Sequence, residues 1–221
     1  MASDSSFSIE PGTAVWLDAA GTVLHPAESV ATVYASFARR RGHDVTANVL
    51  KPRLVEAMGA HRGLREADPT WRAYWQAVVD ASIGASDEGL LDALYEHYAK
   101  PEAWTVAPGT VAFIEQARAA GSKVAMISNW DTRLRPMLAA MGLLDAFDVV
   151  VVSGEEGVEK PAPAIFERTA GRLAVPPTRS LMVGDDPISD IEGARSVGAF
   201  VMRFGSDVMG FGELHELCHQ R

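Results

Sequence analysis

Four short segments of the chain carry side chains that could act together on a phosphate group. They are Asp18 with the turn after it, Ser128-Asn129, Lys160-Pro161, and Gly184-Asp185-Asp186 with Asp190. A carboxylate such as Asp18 can act as a nucleophile and form a covalent acyl-phosphate. Because an anion then attacks a phosphate dianion, positive charge must lie close to the reacting atoms. Each segment alone is weak evidence for such a site. The stronger evidence is that all four occur in this order along the chain.

A divalent cation is the first expected source of that charge. Mg²⁺ prefers one or two carboxylates, with substrate phosphate and water completing its shell, and Asp18 and Asp185 are the expected ligands. Asp186 and Asp190 belong to the same acidic segment and are expected to surround these ligands. The carboxylates therefore predict a magnesium site.

Basic and hydroxyl groups are the second expected source of stabilisation. Lys160, the Ser128 hydroxyl and backbone N–H groups near Asn129 would hold the equatorial oxygens of the transferred group. Thr22, in the turn after the first segment, is a further candidate for substrate binding. Together these groups predict a local positive clamp in an otherwise acidic protein.

The hydropathy pattern predicts the elements that position these side chains. Residues 13–18 form a buried-strand pattern, and after Pro108-Gly109 helices and strands alternate. The predicted strands are 123–128, 147–152, 181–185 and 199–204, and the predicted helices include 131–141 and 188–197. This alternation indicates an α/β fold with a parallel sheet covered by helices on both faces. Reactive loops gather at the carboxyl ends of such strands, where the four segments lie.

A helical block interrupts this pattern after the first strand. Residues 28–100 repeat apolar side chains at helical spacing, and no strand pattern breaks them. Its fourth helix is expected from Ser86, as N-cap, to Tyr98. We expect residues 1–24 and 105–221 to form the core and residues 25–104 an inserted α-helical cap. The aromatic residues of this block favour a role in the cap's own core over a substrate pocket: Trp71, Tyr74, Trp75, Tyr95, Tyr98 and Trp104.

Composition excludes several classes of partner. The 221 residues include 29 acidic and 20 basic side chains, a net charge of −9, which argues against nucleic acid or an anionic membrane. No apolar run approaches the roughly 18 residues of a membrane span, and the N-terminal segment lacks the features of a signal peptide. A single cysteine, Cys218, suits a reducing compartment, so a cytoplasmic location is expected. The sequence does not indicate an oligomeric state.

The four segments resemble the four motifs of the haloacid dehalogenase (HAD) superfamily in order and spacing. The stretch GSKVAMISNWDTRLRPMLAAMGLLDAFDVVVVSGEEGVEKPAPAIF, followed by LMVGDDPISDIEGARSVGAF, is similar to HAD-like hydrolases with a Trp-rich helical cap. The resemblance implies a Rossmann-like core with an α-helical cap inserted after the first motif. It also implies a role for each segment: Asp18 as nucleophile, the Ala20 carbonyl as backbone metal ligand, Ser128 and Asn129 as the second motif, Lys160 as the third, and Asp185 with Asp190 as the fourth.

One position departs from the phosphatases of this superfamily. They usually carry a second Asp two residues after the nucleophile, where it protonates the leaving alcohol and later activates water, and here that residue is Ala20. Loss of such a group typically costs about 10²- to 10⁴-fold in rate. His25, in the following loop, is the nearest alternative proton donor in the sequence. We therefore expect phosphoester hydrolysis that is slow or assisted from elsewhere.

The missing Asp leaves three alternatives open. Haloacid dehalogenases also lack it, but they act without a metal and resemble SSNxxD at the fourth motif, where this chain has GDDPISD. Phosphonoacetaldehyde hydrolases share Asp-x-Ala-Gly-Thr, but they need a Schiff-base lysine in the cap, which offers only Lys51 and Lys100. A catalytically impaired binding module is the third. Retention of Asp18, Lys160 and Asp185 favours an enzyme over such a module. Taken together, the segments lead us to expect a Mg²⁺-dependent phosphatase that acts on a small phosphorylated metabolite through an aspartyl-phosphate.

Overall fold

Five parallel strands form the central sheet of the structure, a computed structural model that describes residues 7 to 219. The strands of this part of the chain are β1 (Ala14–Leu17), β2 (Leu24–Pro26), β3 (Trp104–Val106), β4 (Lys123–Ser128), β5 (Val149–Val152), β6 (Ser180–Gly184) and β7 (Phe200–Arg203). The sheet order is β5-β4-β1-β6-β7, with every neighbouring pair parallel. This arrangement confirms the predicted α/β fold and places β1 at the centre.

Burial on both faces explains why β1 reads as a continuous apolar run. Its side chains alternate between two hydrophobic clusters, with Val15 and Leu17 in one and Trp16 in the other. Phe113 of a helix on the first face and Phe166 of a helix on the second complete these clusters. Helices on both faces therefore fix the height and register of the strand that carries Asp18.

The described helices of the core are α5 (Thr110–Ala119), α6 (Leu134–Ala140), α7 (Ser153–Glu156), α8 (Pro163–Leu173), α9 (Gly193–Ser196) and α10 (Phe211–His219), numbered after the four helices of the block described below. Two of the predicted helices have different bounds in the structure. Helix α6 begins at Leu134 rather than at residue 131, because Asp131 accepts a hydrogen bond from the backbone N–H of Arg133 and forms a turn.

The segment predicted as a helix over 188–197 is two elements. A π-helix spans Pro187–Glu192, and α9 follows it. The carbonyl of Asp186 accepts hydrogen bonds from the N–H groups of both Asp190 and Ile191, which widens this turn. Such π-turns recur at functional sites. Here the turn contains Asp190, one of the predicted site residues.

Four helices form the block between β2 and β3. They are α1 (Val30–Arg40), α2 (Ala47–Ala60), α3 (Arg72–Ile83) and α4 (Glu88–His97), and a short 3-10 helix, Arg62–Arg65, joins α2 to α3. Their apolar faces share a hydrophobic cluster of their own, separate from the two clusters of the sheet. Among the described helices none has both the length and the apolar character needed to span a membrane.

One sequence expectation for this block is wrong. The N-cap of α4 is Asp87, whose carboxylate accepts from the Leu90 N–H at 2.9 Å, whereas Ser86 donates its hydroxyl to Asp80. The block is also joined to the sheet by a strand pair, since β2 and β3 run antiparallel with His25 opposite Thr105. The boundaries at residues 25 and 104 fall inside this pair. The division into core and cap stays a prediction, which the separate hydrophobic cluster supports.

Candidate active site

Asp18 lies at the carboxyl end of the central strand. Its backbone N–H donates to the carbonyl of Val183 in β6 at 2.9 Å, which extends the parallel pairing one residue past the strand. The side chain is almost fully buried. Burial raises the pKa of Asp18 to about 7, an effect that Lys160 opposes and the charge of Asp190 reinforces. A second positive charge beside Asp18, in addition to Lys160, would therefore stabilise its ionised form.

Lys160 is buried with all three N–H donors in use. Its Nζ donates to Asp18 Oδ1 and to Asp190 Oδ1, both at 2.6 Å, and to the carbonyl of Ile127 at 2.8 Å. Burial alone would lower the pKa of this ammonium, but the charges of Asp18 and Asp190 raise it above the ordinary value. Lys160 therefore stays charged and links the first predicted segment to the fourth.

Asn129 fixes the backbone of Lys160 by two reciprocal hydrogen bonds. Its Nδ2 donates to the Lys160 carbonyl at 2.8 Å, and its Oδ1 accepts from the Lys160 N–H at 2.8 Å. The sequence suggested substrate binding for Asn129, whereas the structure shows its amide bound to the third segment. Ser128, the neighbouring residue, is buried at the end of β4 and lines the cavity described below.

Three carboxylates converge next to this lysine. Oxygen atoms of Asp18, Asp185 and Asp190 all lie within 4.8 Å of one another. Burial raises the pKa of Asp185 above its ordinary value, and the charge of Asp190 adds to this effect. Gly21, at φ +90°, leaves the space that Asp185 occupies, since a Cβ there would lie 2.5 Å from Asp185 Oδ2. Oxygen ligands crowded in this way fit a hard divalent cation.

A polar cavity of about 210 Å³ opens over these side chains. Its lining residues are Asp18, Ala20, Arg62, Arg65, Ser128, Asn129, Glu159, Lys160, Asp185, Asp186, Ser189 and Asp190. These include five carboxylates and three basic side chains, so the fully ionised cavity has an excess of negative charge. A phosphate dianion would enter such a cavity only with a cation that offsets the carboxylates.

The structure brings all but one of the predicted site residues to this cavity. Thr22 is the exception, because it is fully buried beneath the turn and lines neither this cavity nor the one described next. Asp186 lines the cavity, and its Oδ1 also accepts from the N–H groups of Ile188 and Ser189 at the start of the π-helix. His25 lines neither cavity.

Arg62 and Arg65 are site residues that the sequence analysis missed. Both belong to the 3-10 helix between α2 and α3, and both line the polar cavity together with the carboxylates. Nη1 of Arg65 lies 3.3 Å from Glu159 Oε2, next to Lys160 in the chain. The sequence feature that could have identified them is a pair of arginines in the connection between two helices of the block, because connecting segments often carry binding residues.

A second cavity, of about 260 Å³, adjoins the first and is mainly aromatic. Its lining residues are Ala20, Pro26, Val30, Tyr34, Met58, Arg65, Trp71, Tyr74, Trp75, Leu91, Leu94, Tyr95, Tyr98, Trp104, Asn129, Trp130 and Arg133. The expectation that the block's aromatic residues form only its own core is incomplete. Trp71 and Tyr74 are buried in that core and also form part of the cavity wall.

Comparisons with known proteins agree with this architecture. Haloacid dehalogenase-like hydrolase domain-containing protein 3 from Mus musculus is 32% identical over 198 residues, covering 82% of this chain and 77% of that protein. A phosphoserine phosphatase from Thermus thermophilus is 32% identical over 146 residues, covering 65% of this chain and 56% of that protein. An HAD phosphatase structure from Thermococcus onnurineus has a TM-score of 0.67 at 26% identity, covering 94% of this chain and 98% of that one.

The solved structures that share this fold include dehalogenases as well as phosphatases, so the fold alone does not select the reaction. A family model described as haloacid dehalogenase-like hydrolase matches residues 13–198. That range contains all four segments identified in the sequence and the helical block between them. The chain therefore belongs to the haloacid dehalogenase-like hydrolase family.

Proposed function

We propose that this hydrolase is a Mg²⁺-dependent phosphatase that acts on a small phosphorylated metabolite through an aspartyl-phosphate on Asp18. One observation carries the proposal: a buried carboxylate at the end of the central strand shares a charged lysine with Asp190 and lies beside Asp185. The similarity to phosphoserine phosphatase and to an HAD phosphatase supports the same reaction class.

The carboxylates of Asp18 and Asp185 are the proposed metal ligands, with the Ala20 carbonyl as a third. When bound, Mg²⁺ would neutralise part of the charge on the phosphate and orient it. Asp190 plays a different part, because its Oδ1 accepts from Lys160 and its Oδ2 accepts from the Asp186 N–H at 3.0 Å. We assign Asp190 and Asp186 to positioning the acidic loop around the ligands.

Lys160 and Ser128 are the proposed contacts to the transferred phosphoryl group. Lys160 donates to Asp18 Oδ1, so its charge lies beside the carboxylate that would attack phosphorus. The Ser128 hydroxyl lies at the end of β4, the strand next to β1. Asn129 acts through Lys160, whose backbone it holds. Arg62 and Arg65, which belong to the helical block, add positive charge to the lining of the cavity.

The alternatives have less support in the structure. Lys51 and Lys100 are exposed and line neither cavity, whereas a Schiff-base lysine must be desolvated in the site. A metal-free dehalogenase would have no use for the crowded carboxylates of Asp18 and Asp185. A non-catalytic module would not require the buried pairing between Asp18 and Lys160.

Steady-state phosphate release tests the proposal. The substrates are para-nitrophenyl phosphate and a panel of phosphorylated metabolites, each with Mg²⁺ and with a chelator. Asp18→Asn is the blank, and Asp145→Asn, at an exposed acid that lines neither cavity, is the matched control. We expect Mg²⁺-dependent release from the wild type and Asp145→Asn but not from Asp18→Asn. Equal release from Asp18→Asn, or none from any ester while Mg²⁺ binds, would contradict the proposal.

A further inference from the structure

We propose that the substrate is an aryl phosphate, the phosphate ester of an aromatic hydroxyl compound, with its ring in the aromatic cavity. This inference rests on the phosphatase function proposed above and names the class of ester. Two independent features of the structure carry it: the chemistry at Ala20 and the composition of the aromatic wall.

Ala20 lies at the junction of the two cavities. It is exposed and lines both of them, as do Arg65 and Asn129. A phosphate held beside Asp18 in the polar cavity would therefore have its ester oxygen close to this junction, with the rest of the alcohol in the aromatic cavity. The leaving oxygen would face a methyl group where other phosphatases of the family place an acid.

Aryl phosphates suit a site without that acid. In the first step a carboxylate oxygen of Asp18 bonds to phosphorus while the bond from phosphorus to the aryl oxygen breaks, and the electron pair leaves on that oxygen as phenolate. A phenol has a pKa near 10, whereas an aliphatic alcohol is close to water at about 16, so the phenolate leaves without help and takes its proton from solvent. Water then hydrolyses the aspartyl-phosphate, releasing phosphate and a proton and restoring the Asp18 carboxylate.

The wall of the aromatic cavity matches a flat apolar ring. Four indole rings line it, and Trp104 and Trp130 lie with ring centroids 4.7 Å apart at its floor. No carboxylate is among its lining residues within the described part of the chain. Arg133 lies there with its charge balanced by Asp131 and its guanidinium 3.5 Å above the ring of Tyr95. Such walls bind aromatic rings by stacking and by burial of apolar surface.

Arg65 joins the aromatic wall to the polar cavity, because it lines both. Its guanidinium lies 4.4 Å from the ring centre of Trp71 and 4.2 Å from that of Tyr74. Nη1 and Nη2 are bonded to Glu159 and to the Tyr74 hydroxyl, but the buried Nε has no hydrogen-bond partner among the described residues. Because Arg65 lines both cavities, we assign it to binding the ester at the point where ring and phosphate meet.

Binding of a non-hydrolysable analogue tests the ring site independently of turnover. The probes are phenylphosphonate and methylphosphonate with Mg²⁺, measured by calorimetry and by tryptophan fluorescence, since four of the five tryptophans line the cavity. We expect phenylphosphonate to bind at least about 10-fold more tightly, because only its ring buries apolar surface in the cavity. Equal affinities would overturn the proposal.

Kinetics test the leaving group. Phenyl phosphate and cyclohexyl phosphate have rings of similar size, so their comparison isolates the acidity of the leaving hydroxyl. We expect kcat/KM for phenyl phosphate to exceed that for cyclohexyl phosphate by about 100-fold or more, within the range that a missing general acid costs. Equal kcat/KM for the two esters would overturn the aryl assignment while leaving the phosphatase function intact. Tight phenylphosphonate binding without hydrolysis of any ester would support the ring site and contradict the phosphatase function instead.

Variants of Arg65 test the junction. We expect Arg65→Met to weaken phenylphosphonate binding at least about 10-fold, whereas Arg39→Met, at an exposed arginine of α1, leaves it unchanged. Glu159→Gln removes the negative charge that pairs with Arg65 but keeps the guanidinium. If Glu159→Gln weakened binding as much as Arg65→Met, Arg65 would act only by holding the two parts of the chain together, and its role as a ligand contact would be overturned.

Discussion

Asn129 and Lys160 are joined by two hydrogen bonds of 2.8 Å each, from side-chain amide to backbone, so that the second segment of the site holds the third. The ammonium of Lys160 in turn contacts Asp18 and Asp190 at 2.6 Å. A chain of direct contacts therefore runs from the end of β4 to the nucleophile proposed at the end of β1. Asn129 is the first residue of this chain of contacts, and we propose that it acts as a positioning residue.

Replacing Asn129 by Asp tests that position. The substitution puts an acceptor opposite the Lys160 carbonyl in place of the Nδ2 donor, which breaks one of the two bonds and shifts the lysine. We expect kcat on an aryl phosphate to fall by about 10- to 100-fold with little change in KM, because displaced catalytic groups lose rate more than binding. A large rise in KM with unchanged kcat would show instead that Asn129 binds the substrate.

Removing the shared cation of the site should destabilise the fold. In Lys160→Met, the carboxylates of Asp18 and Asp190 are buried without their partner. We expect the free energy of unfolding in chelator to fall by about 3 to 5 kcal/mol, the usual cost of breaking a buried ion pair. Urea denaturation measures it, with Lys123→Met as the control, because Lys123 pairs with Asp148 at the surface and such pairs are worth about 1 kcal/mol at most. Equal losses in the two variants would mean that the buried lysine contributes no more than a surface one.

The sheet and the four segments were predictable because they depend on local patterns. A strand buried on both faces appears as an apolar run whatever helices cover it, so the run that ends in Asp18 was recognisable from the sequence alone. The π-helix was not predictable, because it depends on the Asp186 carbonyl accepting from two N–H groups at once. Apolar spacing does not distinguish that pattern from an α-helix.

The arginines of the site and the aromatic cavity were missed because they depend on how the helical block lies against the sheet. Contacts between residues far apart in sequence set that arrangement. The indole N–H of Trp75 donates to Asp131 at 2.9 Å, and Arg133 donates to the Tyr95 carbonyl at 2.8 Å. Helical periodicity identifies which side chains of the helical block are apolar. It does not identify which of them also face the sheet.

A matched pair of glycine substitutions tests the proposed metal site. Gly21 and Gly42 have nearly the same φ, +90° and +88°, so alanine strains the backbone equally at both. Only at Gly21 would the new Cβ collide with Asp185, while nothing lies within 4 Å of it at Gly42. We expect Gly21→Ala to weaken Mg²⁺ binding by about 10-fold or more, and Gly42→Ala to lower stability by about 1 kcal/mol with unchanged Mg²⁺ affinity. Calorimetric titration of both variants with Mg²⁺ measures this, and unchanged affinity in Gly21→Ala would argue against Asp185 as a ligand.

Restoring an acid at position 20 should broaden the range of esters hydrolysed. Ala20 is exposed at the junction of the cavities, so a carboxyl group placed there meets the leaving oxygen without displacing a buried side chain. We expect Ala20→Asp to raise kcat/KM for cyclohexyl phosphate by about 10²-fold or more, the usual contribution of a general acid, and to change phenyl phosphate hydrolysis much less. Ala20→Asn, which has the same size and no proton to give, is the control. An equal gain in Ala20→Asn would show that polarity at the junction, and not proton transfer, limits the hydrolysis of alkyl esters.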